Sequence, residues 1–145
     1  MKKYKIGYTQ GCYDMFHIGH LKLLNNAKAQ CDYLVVGINS DKLVKNYKNK
    51  IPVISEENRA EIVRNIKAVD ECFIVETLDK EEILDKVKFD AIFIGDDWKN
   101  SDRWKDTQEK LKKKNVDVVF LPHTDGISST ILRDVKDNRV NDWRK

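Results

Sequence analysis

The chain has 145 residues, of which 41% are hydrophobic and 35% charged, with a formal net charge of +3. This is the make-up of one soluble globular domain with a single core, and its small positive excess argues against a dedicated nucleic-acid binder. No apolar run approaches the ~18 residues of a membrane span, and the opening MKKYKIGY lacks a signal peptide's apolar stretch, so a cytoplasmic location is expected. Cys12, Cys31 and Cys72 have no metal-ligand spacing and read as reduced thiols, the last two as small core residues. No metal site is expected from them.

Apolar runs and helical patterns alternate along the chain. Tyr4 to Tyr8 reads as a first strand, and Ile18 to Gln30 as a helix with Leu24, Ala27 and Cys31 on one stripe. Tyr33 to Ile38 is a continuous apolar run, the kind a parallel sheet buries on both faces. A loop rich in lysine and asparagine follows, closed by Pro52. Ser55-Glu56-Glu57 then opens a second helix, with acidic residues where the helix dipole favours them. Cys72 to Val75 is a short strand, and Asp79 with Glu82 forms a capping box before Ile83, Leu84 and Val87. Ala91 to Ile94, Ser101 to Lys114 and Val116 to Leu121 read as strand, helix and strand, and Ser128 or Ser129 caps a last helix reaching about Val135. The expected architecture is α/β: a doubly wound, Rossmann-like parallel sheet of about five strands with helices on both faces. One domain spans residues 1–136, and 137–145 is a polar tail.

Right-handed crossovers bring the strand C-termini to one edge, where such folds bind ligands. Three blocks that follow strands therefore converge there. Gly11 to His20 places His17 and His20 three residues apart at a helix start, on one face and beside backbone N–H groups that attract a phosphate. Gly95-Asp96-Asp97-Trp98 offers carboxylates for a ribose or a loop, with Trp98 free to pack on ligand or core. His123-Thr124-Asp125-Gly126-Ile127-Ser128-Ser129-Thr130 joins a glycine and successive hydroxyls to a helix start, a second anion cradle. Arg59, taken alone, is an ordinary charged helix residue. Lys42, Lys45, Lys48 and Lys50 crowd one loop, without the interleaved aromatics of a nucleic-acid surface.

HIGH, within the wider HxGH pattern, is the signature of the nucleotidyltransferase superfamily that also includes class I aminoacyl-tRNA synthetases. The chain is too short for a synthetase and has no KMSKS sequence. Taken in order, GCYDMFHIGH, ENRAEIV with VDE, GDDW and HTDGISST resemble the blocks of the cytidylyltransferase family, most closely its small bacterial glycerol-3-phosphate enzymes. The resemblance covers nearly the whole chain. It implies that the main chain of Cys12 and Tyr13 approaches the nucleotide, and that His17 and His20 contact the triphosphate. It implies that Lys48 bridges acceptor phosphate and α-phosphate and that Lys50 lies on the nucleotide. Lys80 and Arg59 would bind the acceptor, while Asp97 and the segment His123 to Thr130 would hold the nucleotide.

The implied substrates are CTP, carried with Mg²⁺, and a small alcohol phosphate, in a homodimer. In-line attack by the acceptor phosphate would need no covalent intermediate and no strong base. The chain departs from the family pattern at His123, where an arginine is usual, and at Leu78, where a tryptophan is common. Phosphocholine, phosphoethanolamine or a polyol phosphate as acceptor, ATP as donor, and a nucleotide-binding module without catalysis therefore stay open.

Overall fold

The computed structural model describes residues 2–96 and 101–122. Ten elements follow in chain order: β1 (Tyr4–Gly11), α1 (Ile18–Lys28), β2 (Cys31–Asn39), α2 (Asp41–Lys48), α3 (Glu56–Arg64), β3 (Glu71–Val75), α4 (Lys80–Val87), β4 (Ala91–Gly95), α5 (Asp102–Lys112) and β5 (Asp117–Leu121). The strands form one parallel sheet in the order β3-β2-β1-β4-β5. The chain winds outward through β2 and β3, then returns to the other side of β1 for β4 and β5. The switch point therefore lies between β1 and β4, and Thr9 spans it by donating its hydroxyl to the carbonyl of Phe93 at 2.8 Å.

Alternation along the strands makes two cores. Leu34, Val36 and Ile38 of β2 join Leu24 and Ala27 of α1 and Ala60 and Val63 of α3 on one face. Val35, pointing the other way, joins Tyr8, Ile92, Ile83 of α4, and Trp104 and Leu111 of α5. Helices thus cover both faces, as the near-continuous apolar strands require. Among the described residues, no helix is long and apolar enough to cross a membrane.

Two local readings of the sequence are corrected. The lysine-rich stretch after β2 is not all loop: Ser40 caps α2 by accepting from the Leu43 N–H at 3.1 Å, and Val44 is buried. Lysines and asparagines surround the few apolar residues of this short helix and hide its period. Asp79 caps α4 by accepting from the N–H groups of Glu81 and Glu82, but its own N–H donates to the Thr77 hydroxyl at 3.1 Å. That threonine, not Glu82, completes the cap. The expected boundary at residue 136, the polar tail and the last helix lie outside the described residues.

Gly37 sits in β2 because Tyr8 crosses in front of it. A Cβ there would run into the Tyr8 hydroxyl, which donates to Gln10 Oε1 at 2.7 Å. Gly37→Ala is expected to lower unfolding free energy by about 1–3 kcal/mol, the usual cost of overpacking, read from the urea midpoint.

Candidate active site

The turn after β1 is strained and held from both sides. Tyr13 and Met15 have left-handed backbones, φ 52° and 50°, which are costly for side chains of this size. Tyr13 is buried, with its hydroxyl 3.4 Å from that of Thr9 and its ring 5.2 Å, edge-on, from that of His20. The turn delivers the chain to α1 with two histidines as its cap. His17 Nδ1 accepts from the Gly19 N–H at 3.0 Å, and the His17 N–H donates to His20 Nδ1 at 3.2 Å. The rings stack with centroids 3.9 Å apart.

This cap fixes the tautomers. With Nδ1 accepting in both rings, each neutral imidazole carries its proton on Nε2 and presents an N–H donor away from its own helix. Burial pushes His20 down to about 4, aided by the neighbouring His17, while Asp14 opposes the shift. Burial lowers His17 as well. Both rings are therefore neutral donors at pH 7, suited to phosphate oxygens.

Behind the turn lies a buried brace. Asp14 accepts from the N–H groups of Val53 and Ile54 at 2.8 and 3.0 Å, closing the segment after α2 onto the motif. Arg59 is 1% exposed. Its Nη1 donates to the carbonyls of Cys12 and Asn39, both at 2.8 Å, its Nε to Ile54 O at 2.9 Å, and its Nη2 to Asp41 at 2.6 Å. Arg59 thus does not stand where an acceptor could reach it, contrary to the sequence reading. Its guanidinium joins the ends of β1 and β2 to the starts of α2 and α3. Sequence alone could not tell this arginine from an exposed one.

In front of the brace, at the C-terminal edge of the sheet, a cavity of about 420 Å³ opens. It is lined by Cys12, Tyr13, His20, Lys48, Lys50 and Lys80, so it brings together most of the expected residues that the structure describes. His17 is not in its lining, but stacks on His20 beside it. Asp97, Trp98 and His123 to Thr130 lie outside the described residues. Among the described residues the lining carries four cations, Lys48, Lys50, Lys80 and Arg103, and one carboxylate, Asp14, which is already engaged. Lys80 is 7% exposed, donates to Leu78 O at 2.9 Å and lies 5.5 Å over the Trp104 ring. Burial, with Arg103 adding to it and Asp79 opposing, pulls this ammonium down to about 8.

The cavity also has a polar floor that sequence reasoning missed. Gln10 Nε2 donates to Asn39 Oδ1 at 2.8 Å and Thr77 O at 3.0 Å, and Asn39 Nδ2 donates to the Tyr47 hydroxyl at 3.0 Å. These residues carry no motif. Asp14 did carry a signal, since a carboxylate inside a phosphate-facing turn must be turned away from the ligand.

Fold and site together define a nucleotidyltransferase-type α/β enzyme domain: a switch-point cavity, a histidine-capped helix start and an excess of cations with no nucleophilic triad among the described residues. The profile of the cytidylyltransferase-like family matches residues 8–135. A glycerol-3-phosphate cytidylyltransferase of Bacillus spizizenii is 39% identical over 127 residues, covering 86% of this chain and 92% of that protein. The bifunctional protein HldE of Hyphomonas neptunium is 34% identical over 135 residues, covering 88% of this chain. The chain spans only 26% of that longer protein's length. Among solved structures, a lipopolysaccharide core biosynthesis protein of Thermoplasma volcanium superposes with a TM-score of 0.69 at 26% identity, over 83% of this chain and 97% of that one. The chain belongs to the cytidylyltransferase-like family.

Two substitutions test the site's construction. Arg59→Lys keeps the charge but cannot reach four acceptors, and should lower stability by about 3–5 kcal/mol, measured by urea unfolding. Lys80→Met should act in the opposite direction. Between about pH 8 and 10.5 the unfolded chain holds a proton that the folded Lys80 has released, so its burial weakens the fold at neutral pH. Removing the ammonium should therefore raise the thermal midpoint at pH 7, while weakening any anion held in the cavity.

Proposed function

We propose that this chain transfers a cytidylyl group from Mg²⁺–CTP to sn-glycerol 3-phosphate, giving CDP-glycerol and pyrophosphate. One observation carries the reading: among the described residues, the switch-point cavity sets four cations and the neutral His20 imidazole against a single engaged carboxylate. Such a site suits two mutually repelling phosphates. Similarity to the Bacillus spizizenii glycerol-3-phosphate cytidylyltransferase over nearly that protein's full length supports the choice of acceptor and nucleotide.

In the proposed reaction an acceptor phosphate oxygen attacks the α-phosphorus of CTP. The new P–O bond forms as the bond to the β-phosphate oxygen breaks, and pyrophosphate leaves with that electron pair. The acceptor is already an anion, so no proton need be removed. His20, with His17 stacked on it, donates Nε2–H to the transferring and leaving phosphate oxygens, whose charge grows in the transition state. Lys48 holds acceptor and α-phosphate together, and Lys50 the nucleotide. Cys12 and Tyr13 set the nucleotide against the end of β1, and Lys80 receives the acceptor. Mg²⁺, carried in with the nucleotide, would neutralise phosphate charge, and Asp14, the carboxylate that lines the cavity among the described residues, is engaged by backbone N–H groups. Asp97 and His123 to Thr130 complete the nucleotide site in this proposal.

The cation-rich cavity disfavours a choline or ethanolamine acceptor, since their positive head groups would meet Lys80 and Arg103. A pyrophosphate-release assay of CTP and ATP against sn-glycerol 3-phosphate, phosphocholine, phosphoethanolamine and polyol phosphates tests the proposal. The CTP and sn-glycerol 3-phosphate pair should have the highest kcat/KM, and His17→Ala should reduce its rate at least about 100-fold. Turnover only with ATP, or only with another acceptor, would overturn the substrate assignment. The acceptor's kcat/KM should fall as pH rises through about 8, because Lys80 loses its charge there and not near 10.5. A flat profile up to pH 9.5 would remove Lys80 from acceptor binding.

A further inference from the structure

Resting on the cytidylyl-transfer reading, we propose that Arg103 is a further acceptor-binding and specificity-determining residue, which pairs with Lys80 beside Trp104 to seat the acceptor's phosphate. Arg103 stands in the first turn of α5 and lines the same cavity as Lys48 and Lys80. Its neighbour Trp104 is buried and carries the Lys80 ammonium over its ring. Arg103 therefore reaches the cavity from the side where α4 and α5 begin.

The local charges call for an anion at this place. Lys80 has three donors, and the hydrogen bond to Leu78 O takes one of them. The adjacent carboxylate, Asp79, caps α4 by accepting from Glu81 and Glu82. Arg103 acts on Lys80 as a like charge and also acts on Tyr47 across the cavity. On the outer side of α5, Lys110 pairs with Asp106, and Lys114 beyond it pairs with Glu81, both at 3.2 Å. Arg103 takes part in no ion pair among the described residues. Ser101, at the N-cap of α5, makes no side-chain cap bond, so N–H groups of that first turn add to the positive field. Two like charges directed at one space, one of them buried, are stabilised together by a dianion between them.

A guanidinium supplies what Lys80 lacks, a planar fork that fixes a phosphate's orientation as well as its charge. The same pair sets selectivity. A quaternary ammonium needs free aromatic faces, and the Trp104 ring already carries an ammonium. Acceptors with hydroxylated tails are accepted here and cationic tails are repelled.

Arg103→Gln tests the assignment in steady-state assays with CTP and sn-glycerol 3-phosphate, alongside calorimetric binding of inorganic phosphate with CTP saturating. Loss of one charged contact should raise the acceptor KM at least about tenfold and weaken phosphate binding similarly, with the KM for CTP changed by less than about twofold. Preference for sn-glycerol 3-phosphate over phosphocholine should fall, and Arg103→Lys should restore part of the acceptor affinity. Because Arg103 is exposed, the thermal midpoint should stay in place, separating recognition from folding. Phosphate binding that is unchanged by Arg103→Gln overturns the assignment, whatever turnover shows. Weaker phosphate binding in the variant, with no pyrophosphate released by wild type from any acceptor, keeps the subsite and overturns the cytidylyl-transfer reading.

Discussion

Everything at the catalytic edge of this sheet depends on one buried guanidinium. Arg59 reaches three backbone carbonyls and one carboxylate from α3, and in doing so joins segments that are far apart in sequence. Cys12 O lies one residue past the end of β1 and Asn39 O at the end of the neighbouring β2, where the strand ladders stop. A buried carbonyl without a donor is costly, and so is a buried cation without acceptors. Each answers the other's need. The turn backbone at Cys12 is thus fixed from behind, leaving its other side to line the cavity.

Asp14 repeats the logic with opposite sign. A carboxylate in a turn meant for phosphates would repel its ligand, yet this one is buried and held by the N–H groups of Val53 and Ile54. It therefore closes the segment that carries Lys48 and Lys50 instead of opposing them. The histidines serve twice in a related way. Their Nδ1 atoms satisfy N–H groups at the start of α1, and that same bonding leaves Nε2–H as the free donor of each ring. The helix cap and the donor chemistry of the proposed function therefore constrain the same atoms.

How much of this the sequence showed follows from which interactions are local. The β–α alternation, the switch-point edge and the histidine-bearing helix start after β1 were legible, because strand runs, helix stripes and the Gly11 to His20 turn are short-range patterns. Helix α2 was not legible, since its few apolar residues are spaced among lysines and asparagines and its stability comes from the Ser40 cap and the burial of Val44. Arg59 was misplaced for a related reason. Its partners are 5 to 47 residues away, and no local spacing distinguishes an arginine that reaches inward from one that reaches a ligand. The polar floor of Gln10, Asn39 and Tyr47 escaped notice on the same grounds, as each member comes from a different element.

The remaining asymmetry concerns charge. Some surface cations meet carboxylates, as Lys28 does Asp70 and Lys114 does Glu81. In the cavity, among the described residues, four cations share the lining with one carboxylate whose oxygens are taken. Solvent screens exposed charges cheaply, but a buried ammonium such as Lys80 is screened far less, and its lowered proton affinity records that cost. A fold that keeps such a group at the mouth of its switch point is less stable than one with a methionine there. In the proposed reaction that loss would be recovered when an anion arrives, and it would make the binding energy of an acceptor phosphate larger than a neutral pocket could offer. On that proposal the resting site is strained electrostatically toward the charge distribution of two phosphates, and the repulsion between them, the main barrier to their reaction, would be met by repulsion already built into the protein.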